Sequence, residues 1–150
     1  MSNEEIQSFV TAEQPSATFD ATGEWLHILI EPSAWKPLAQ KLRQSHFHFD
    51  YLFCLTCIDW KTHLTMVYHL SSSSYRHSIV IKANLDRDTP AIETVSDIWR
   101  TAEFHERETY ELFGVQFLHH PDLRRLILTD DFEGYPLRKD FEDPINMIKL

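Results

Sequence analysis

Two alternating segments on either side of a run of four serines constrain the fold more than any other feature of the sequence. The segments "HLTMVYHL" (63–70) and "YRHSIVIKANL" (75–85) alternate apolar and polar residues, as half-buried strands do. Because "SSSS" (71–74) separates them, the pattern predicts an antiparallel hairpin with a loop of four or slightly more residues. Such a hairpin argues against a fold of regularly alternating strands and helices.

Further strands are predicted on both sides along the chain. "TFDATGEWLHILI" (18–30) indicates two strands about a turn at Thr22-Gly23. The second of these is apolar on both sides, which is typical of a strand in the middle of a sheet. "FDYLFCLTCIDW" (49–60) is also strand-like, although its pattern alone leaves a helix open.

Three helices complete the predicted elements. The first covers residues 3–12. The second, "PSAWKPLAQKLRQS", is predicted to have Ser33 as its N-cap and Pro37 in its first turn. The third runs from about Ile98 to Phe113 and is closed by Gly114. Together with the hairpin they predict an α+β fold: a mixed or antiparallel sheet with helices packed on it, followed by an extended charged C-terminal loop region.

Length and charge narrow the class of protein. A chain of 150 residues predicts one domain over residues 1–150. The formal net charge of −9 argues against nucleic acid as a partner, because binding phosphates requires a positive surface. The start "MSNEEIQSFV" does not resemble a signal peptide, and no apolar run reaches the ~20 residues that span a bilayer. We therefore expect a cytoplasmic protein with reduced cysteines and only indirect membrane association.

Glu106 is the anomalous residue of the third helix. Helical spacing places it in the middle of a stripe formed by Trp99, Ala102, Thr109, Tyr110 and Phe113. A buried carboxylate requires a proton or a cation, and Arg124, Arg125 and Arg138 follow in the sequence. Either Glu106 is a general acid or base, or a buried ion pair fastens the loop to the helix. The ion pair is favoured, because no nucleophile or metal-ligand set accompanies the carboxylate.

Other positions on this helix are predicted to be solvated. Glu103, Arg107 and Glu108 fall away from the buried stripe. Glu103 and Arg107 have the spacing of an ordinary surface ion pair.

Cys54 and Cys57 have the spacing of a redox dithiol or of half a zinc site. On a strand, however, residues three apart point to opposite faces, so that the two thiols would not meet. Buried structural thiols are favoured. A small thiol or zinc oxidoreductase that uses Cys54 and Cys57 remains the alternative function.

The loop after the third helix mixes charged and large apolar residues. His120 is interpreted as a loop hydrogen-bonding residue, with a proton carrier as the alternative. Between residues 132 and 141, apolar groups are rimmed by Arg138, Lys139 and Asp140. This pattern fits a protein interface and internal docking equally well.

The segment "AEFHERETYELFGVQFLHHPDLRRLILTDDFEGYPLRKDF" (102–141) resembles the 30 kDa subunit family of respiratory-chain complex I, the C-type subunit of NADH-quinone oxidoreductase. The family pattern is met by the set Glu106-Arg107-Glu108, Glu111, Leu112-Phe113, His120, Arg124 and Leu126-Ile127. "PLRKDF" (136–141) adds a second block, and the resemblance covers about residues 20–141. The chain departs from the pattern at His105 and His119.

The resemblance implies a structural subunit of the peripheral arm with no cofactor and no catalysis of its own. It would dock on the large quinone-site subunit (the 49 kDa, or D-type, subunit) and contact other peripheral-arm subunits at the cytoplasmic face of an energy-transducing membrane. Flavin, iron–sulfur clusters and quinone are expected elsewhere in the parent complex. Related hydrogenases and a ferredoxin-dependent plastoquinone reductase use similar subunits, so the electron donor stays open.

The implied division of the chain is a core of about residues 20–118 and a partner-contacting loop of about residues 119–141. The implied structural and docking residues are Glu106, Arg107, Glu108, His120, Arg124, Arg125, Arg138, Lys139 and Asp140.

Overall fold

A five-stranded mixed sheet with helices packed on one face forms the body of the computed structural model, which describes residues 1–147. The α+β fold predicted from the sequence is confirmed. The elements in chain order are α1 (Asn3–Glu13), β1 (Thr18–Asp20), β2 (Leu26–Ile30), α2 (Pro32–Gln44), β3 (Tyr51–Asp59), β4 (His63–Ser72), β5 (His77–Asp86), β6 (Ala91–Glu93), α3 (Ala102–Phe113) and β7 (Gln116–Leu118).

The predicted hairpin is β4–β5, and its loop is residues 73–76. The strand order in the sheet is β1-β2-β5-β4-β3. β2 is parallel to β5, whereas the other neighbouring pairs are antiparallel. β2 therefore lies inside the sheet as predicted, but its two faces differ: Leu26 and Ile28 are fully buried, while Leu29 is 37% exposed.

The hydrophobic core lies between the helices and one face of the sheet. Ile6 and Val10 of α1, and Trp35 and Leu38 of α2, are fully buried there. They pack with the strand residues that share the inner face, namely Leu26, Ile28, Leu64, Met66, Tyr68, Ile79 and Ile81. The opposite face of the sheet carries no helix among the described residues.

The start of α2 differs from the prediction. Glu31, not Ser33, occupies the N-cap position, and it makes no capping hydrogen bond through its side chain. The helix begins at Pro32, whose fixed φ suits a first helical position. Pro37 consequently lies in the second turn rather than the first. Proline has no N–H, so the carbonyl of Ser33 receives no helical hydrogen bond from Pro37. The ring of Pro37 is exposed, and water can reach this carbonyl.

α3 begins four residues later than predicted. Residues 98–101 form turns, in which two side chains bind carbonyls near the start of β3. The Nε1 of Trp99 donates to the carbonyl of Phe49 (2.9 Å), and the Oγ1 of Thr101 donates to the carbonyl of Leu52 (2.7 Å). The predicted Gly114 cap is confirmed: its φ is +80°, which favours glycine.

The C-terminal part of the chain contains little regular structure. β7 pairs in parallel with β6 as a separate two-stranded sheet, and the sequence pattern did not predict β7. After it, residues 119–147 contain no helix or strand, as the predicted loop region requires. None of the helices in the described chain is long and apolar enough to cross a membrane.

Candidate functional site

Glu106 is fully buried, but it has no arginine partner within residues 1–147. The Oγ1 of Thr94 donates to Glu106 Oε2 (2.5 Å), and the amide of Val95 donates to Oε1 (2.8 Å). The predicted ion pair with Arg124, Arg125 or Arg138 is therefore wrong. The physical reason is direction: Glu106 points to the turn after β6, while the loop with the arginines follows another side of α3.

Burial dominates the charge state of Glu106. It raises the pKa of the carboxyl group to about 7, although the hydrogen bonds from Thr94 and Val95 act in the opposite direction. The group is thus held as a mixture of protonated and ionised forms near neutral pH. The charge of Lys36 lowers this pKa and that of Asp97 raises it. The imidazole Nε2 of His120 lies 3.7 Å from Glu106 Oε2.

The imidazole of His120 is buried and joins two stretches of chain. Its Nδ1 accepts a hydrogen bond from the amide of Asp122 (3.0 Å), so the proton lies on Nε2. The Nε2 in turn donates to the carbonyl of Glu103 (3.0 Å). His120 therefore hydrogen-bonds the loop to α3, in agreement with the favoured interpretation.

Arg107 and Glu111 fasten the loop to α3, a role that the sequence pattern did not reveal. Arg107 is only 7% exposed and makes no ion pair with Glu103 in the described chain, so the predicted surface pair is wrong. Its guanidinium donates to the carbonyls of Arg124 (3.0 Å) and Arg125 (3.1 Å).

Glu111 is 2% exposed and binds backbone amides. Its carboxylate accepts from the amides of residues 126 (3.0 Å), 127 (2.9 Å) and 128 (3.0 Å). The available signal was the i,i+4 spacing of Arg107 and Glu111, which places both residues on one side of the helix beside a glycine stop.

These anchors leave four large apolar side chains exposed beside α3. Phe104 is 54% exposed, Leu126 40%, Ile127 68% and Leu137 53%. The amide of Leu137 donates to the carbonyl of Leu112 (3.1 Å), which places Leu137 near the end of α3. The Arg107 guanidinium lies 5.5 Å from the ring centre of Phe104, nearer the start of the helix. We call Phe104, Leu126, Ile127 and Leu137 the loop patch.

A second anchor, at the end of β3, holds the segment "PLRKDF". Asp59 is buried and forms a two-fold ion pair with Arg87, at 3.0 and 2.9 Å. Arg87 also pairs with Asp140 (2.9 Å), and the amide of Lys139 donates to Asp59 (2.9 Å). The hydrogen bonds from Arg87 hold the pKa of Asp59 well below its usual range. The sequence did not single out Asp59, because its partners lie far away along the chain.

The remaining residues that were predicted to dock on a partner fall into two groups, according to their solvent exposure. The Nε of Arg138 donates to the carbonyl of Phe113 (2.6 Å), so Arg138, like Asp140, serves internal docking in this chain. Arg125 binds the carbonyls of Thr129 (2.5 Å) and Phe132 (2.8 Å) within the loop.

The more exposed candidates have few internal contacts. Arg124 pairs with Asp122 (2.9 Å) and is largely exposed, and Glu108 is exposed. The Nζ of Lys139 lies 5.9 Å from the ring centre of Trp60.

The two cysteines lie apart on β3, as their spacing predicted. Cys54 faces His69 across the strand pair and is half-buried, whereas Cys57 is buried in the core. Burial raises the pKa of both thiols, that of Cys57 to about 12, which lowers their fraction of reactive thiolate. Across residues 1–147, no group of three or more His, Cys, Asp or Glu side chains is arranged to hold a metal ion. The thiol or zinc alternative therefore gains no support.

A family model and individual relatives all relate this chain to the same kind of protein. The model of the family "Respiratory-chain NADH dehydrogenase, 30 Kd subunit" matches residues 28–145. The C/D-type subunit of the NADH-quinone oxidoreductase of Phocaeicola vulgatus is 46% identical over 112 residues, which are 73% of this chain and 21% of that protein. The C-type subunit of the same enzyme of Chloroherpeton thalassium is 38% identical over 112 residues, 73% of this chain and 47% of that one. This chain thus spans less than half the length of these two relatives.

A solved structure agrees with the fold. A chain of the membrane-bound sulfane sulfur reductase, an archaeal respiratory membrane complex, superposes with a TM-score of 0.79 at 28% identity. The match covers 93% of this chain and 85% of the other.

Proposed function

Since the chain belongs to the family of the 30 kDa subunit of respiratory-chain NADH dehydrogenase, we propose that it is a structural subunit of a larger oxidoreductase. The parent complex passes electrons from NADH, or from a related donor, to quinone and translocates protons. In this role the chain performs no catalysis itself. It occupies the peripheral arm, at the cytoplasmic face of the membrane, and reaches the membrane only through its partners.

The proposed partner is the large quinone-site subunit, of the 49 kDa or D type. One relative bears the combined C/D designation, which supports a neighbouring position for parts of these two types. Other subunits of the peripheral arm would also contact the chain. Flavin, iron–sulfur clusters and quinone would be bound by those subunits, and this chain would support electron transfer by holding them in position.

The observation that carries the proposal is the way the loop patch is presented. Arg107 and Glu111 use their hydrogen bonds on the backbone of residues 124–128, while Leu126 and Ile127 point away from the chain. Fixing a loop before it binds lowers the entropy cost of binding. Exposed apolar side chains on a rigid segment are typical of the centre of a protein interface. The docking surface we propose is therefore apolar, with Arg124 and Glu108 at its rim.

The test is the substitution Ile127→Asp in the assembled complex. We expect the variant chain to stop co-purifying with the large quinone-site subunit, because a carboxylate would be buried in an apolar contact. The melting temperature of the variant chain should stay unchanged, because Ile127 is 68% exposed.

Tyr75→Asp is the matched control. It changes another exposed apolar residue, in the β4–β5 loop. Co-purification should persist in this variant. Retention of the large subunit by the Ile127→Asp chain at the level of the control would overturn the proposed surface.

A further inference from the structure

The sheet face away from the helices carries buried apolar side chains, whereas the solvated face of a sheet usually carries polar ones. Val67 is 5% exposed and Val80 1%, although both lie on this face. The rings of Trp25, Phe53 and His69 cover this part of the face, with ring centres 5.6–5.8 Å apart. One half of the open face is therefore closed by the chain's own aromatic side chains.

The other half of the same face forms a groove of about 320 Å³. Its apolar walls include Leu29, Ile58 and Trp60. Trp60 is 52% exposed but fixed, because its Nε1 donates to Thr65 Oγ1 (3.0 Å). Thr65 in turn donates to Asn84 Oδ1 (2.7 Å), which leaves the amide nitrogen of Asn84 free to donate into the groove.

Lys82 lies in the middle of this groove, with the carboxylate of Asp20 as a nearby opposite charge. The strand register places it between Leu29 on β2 and Val67 on β4. Within residues 1–147 its ammonium group forms no ion pair and no hydrogen bond. Asp20, which also lines the groove, binds the amide (2.9 Å) and hydroxyl (2.6 Å) of Thr22 instead.

His27 is the second polar group close to Lys82. Burial lowers the pKa of His27, and the charge of Lys82 lowers it further against the opposite effect of Asp20, which favours the neutral ring. A neutral imidazole donates one hydrogen bond without adding charge. The groove thus presents the Lys82 cation and neutral donors beside apolar walls, and the hydrogen-bonded carboxylate of Asp20 also belongs to its lining. Apolar walls with a few polar groups are the composition of a small-molecule site.

We propose that this groove binds a small carboxylate carried on a flat apolar body, such as an aryl carboxylate. The carboxylate would pair with Lys82 and accept hydrogen bonds from Asn84 or His27. The flat body would lie against Leu29, Ile58 and the indole of Trp60. The proposal is independent of the docking function, because the loop patch lies beside α3 and the groove lies on the sheet face without helices.

The experiment is a titration of the full chain, followed by NMR, with benzoate as the probe. Acetate supplies the charge without the flat body, and benzyl alcohol supplies the body without the charge. We expect saturable shifts of the Trp60 indole and of the Lys82 and Asn84 signals with benzoate, and much weaker binding of the other two compounds.

Substitutions at Lys82 test the charge. Lys82→Gln should weaken benzoate binding by about tenfold or more, because a charge-assisted hydrogen bond is lost, while Lys82→Arg should retain most of it. Lys61→Gln is the control, since it removes a nearby exposed lysine that does not line the groove.

Several results would overturn the proposal. These are the absence of saturable shifts at the groove, equal binding of benzoate and benzyl alcohol, or unchanged affinity in Lys82→Gln. Binding of benzoate at the loop patch would also overturn it. None of these outcomes bears on co-purification with a large subunit, so the two proposals fail separately.

Discussion

The two sides of this molecule treat their charged groups in opposite ways. Beside α3, the buried side chains of Arg107 and Glu111 each bind backbone groups of the loop, and no hydrogen-bonding partner from outside the chain is needed. On the sheet face without helices, Lys82 makes no direct ion pair or hydrogen bond in the described chain. Charged side chains thus hold the loop in place beside α3, whereas on the sheet face a charged side chain stays available to bind a ligand.

In a chain with many charges, the internal partners of each charged group indicate whether it is available for binding. Charged groups that are fully hydrogen-bonded internally fix geometry, and the surface that they support is apolar. A partly buried cation without a direct ion pair indicates a place where an anion would replace lost hydration. The internal partners of each charged residue therefore indicate a binding site better than the number of charged residues in a segment does.

Of the substitutions that test this comparison, Glu111→Ala is expected to change the free energy of unfolding most. The substitution removes the acceptor for three loop amides and leaves Arg107 beside a loosened loop, so we expect a loss of about 3 kcal/mol of stability. Urea unfolding measures the loss, and amide hydrogen exchange at residues 126–128 should become faster. Glu108→Ala, an exposed position on the same helix, should change stability by less than about 0.5 kcal/mol. Equal effects of both substitutions would break the distinction between anchoring and solvated charges.

Glu106→Gln gives an intermediate effect that depends on pH. The pKa of Glu106 is raised from 4.5 to about 7 in the folded chain. Folding therefore favours the protonated form, and the stability from this group is greatest below pH 4.5 and is lost as the pH rises toward 7. Glutamine does not titrate, so the stability of Glu106→Gln relative to the natural chain should rise by about 2 kcal/mol between pH 5 and 8.

Urea unfolding at several pH values measures this shift. The comparison assumes that His120, Lys36 and Asp97 respond equally in both chains, and a titration of the His120 ring by NMR checks that assumption. Parallel stability curves for the two chains would show that the carboxyl group of Glu106 keeps an ordinary pKa.

Lys82→Gln gives the smallest expected effect on stability. Because the ammonium group has no partner to lose, the free energy of unfolding should change by less than about 0.5 kcal/mol. Thermal and urea unfolding of the variant used for the benzoate titration would measure it. A loss of more than about 1 kcal/mol would mean that Lys82 is held by the fold after all, and the contrast with Glu111 would disappear.

Local features of the fold were predictable because neighbouring residues encode them. The alternation of residues 63–70 and 75–85 determines a hairpin, and Gly114 can adopt the left-handed conformation that ends α3. The start of α3 was not predictable in the same way. Apolar residues recur through Ile98 and Trp99 at helical spacing, yet Trp99 and Thr101 bind carbonyls near β3 instead of continuing a helix.

In the candidate site, too, some features were predictable from the sequence and others were not. The stripe on α3 correctly placed Glu106 among buried residues. Its partners were wrong, because a carboxylate can be satisfied by a threonine hydroxyl and a backbone amide as well as by an arginine. The partners of Arg107 and Glu111 were not predictable for the same reason, since both side chains bind backbone groups, which every residue type carries.

The α+β class, the hairpin, the capped helix, the buried position of Glu106 and the family were all predictable from the amino-acid sequence. These depend on residue type and spacing within a short stretch. The folded chain shows which groups meet: Glu111 binds the amides of the loop, and Asp59 binds Arg87 and the amide of Lys139. It also shows that Lys82 makes no direct ion pair in the described chain. The physical reason is that hydrogen bonds depend on the distance and direction of two groups in space, which residues far apart along the chain acquire only when the chain folds.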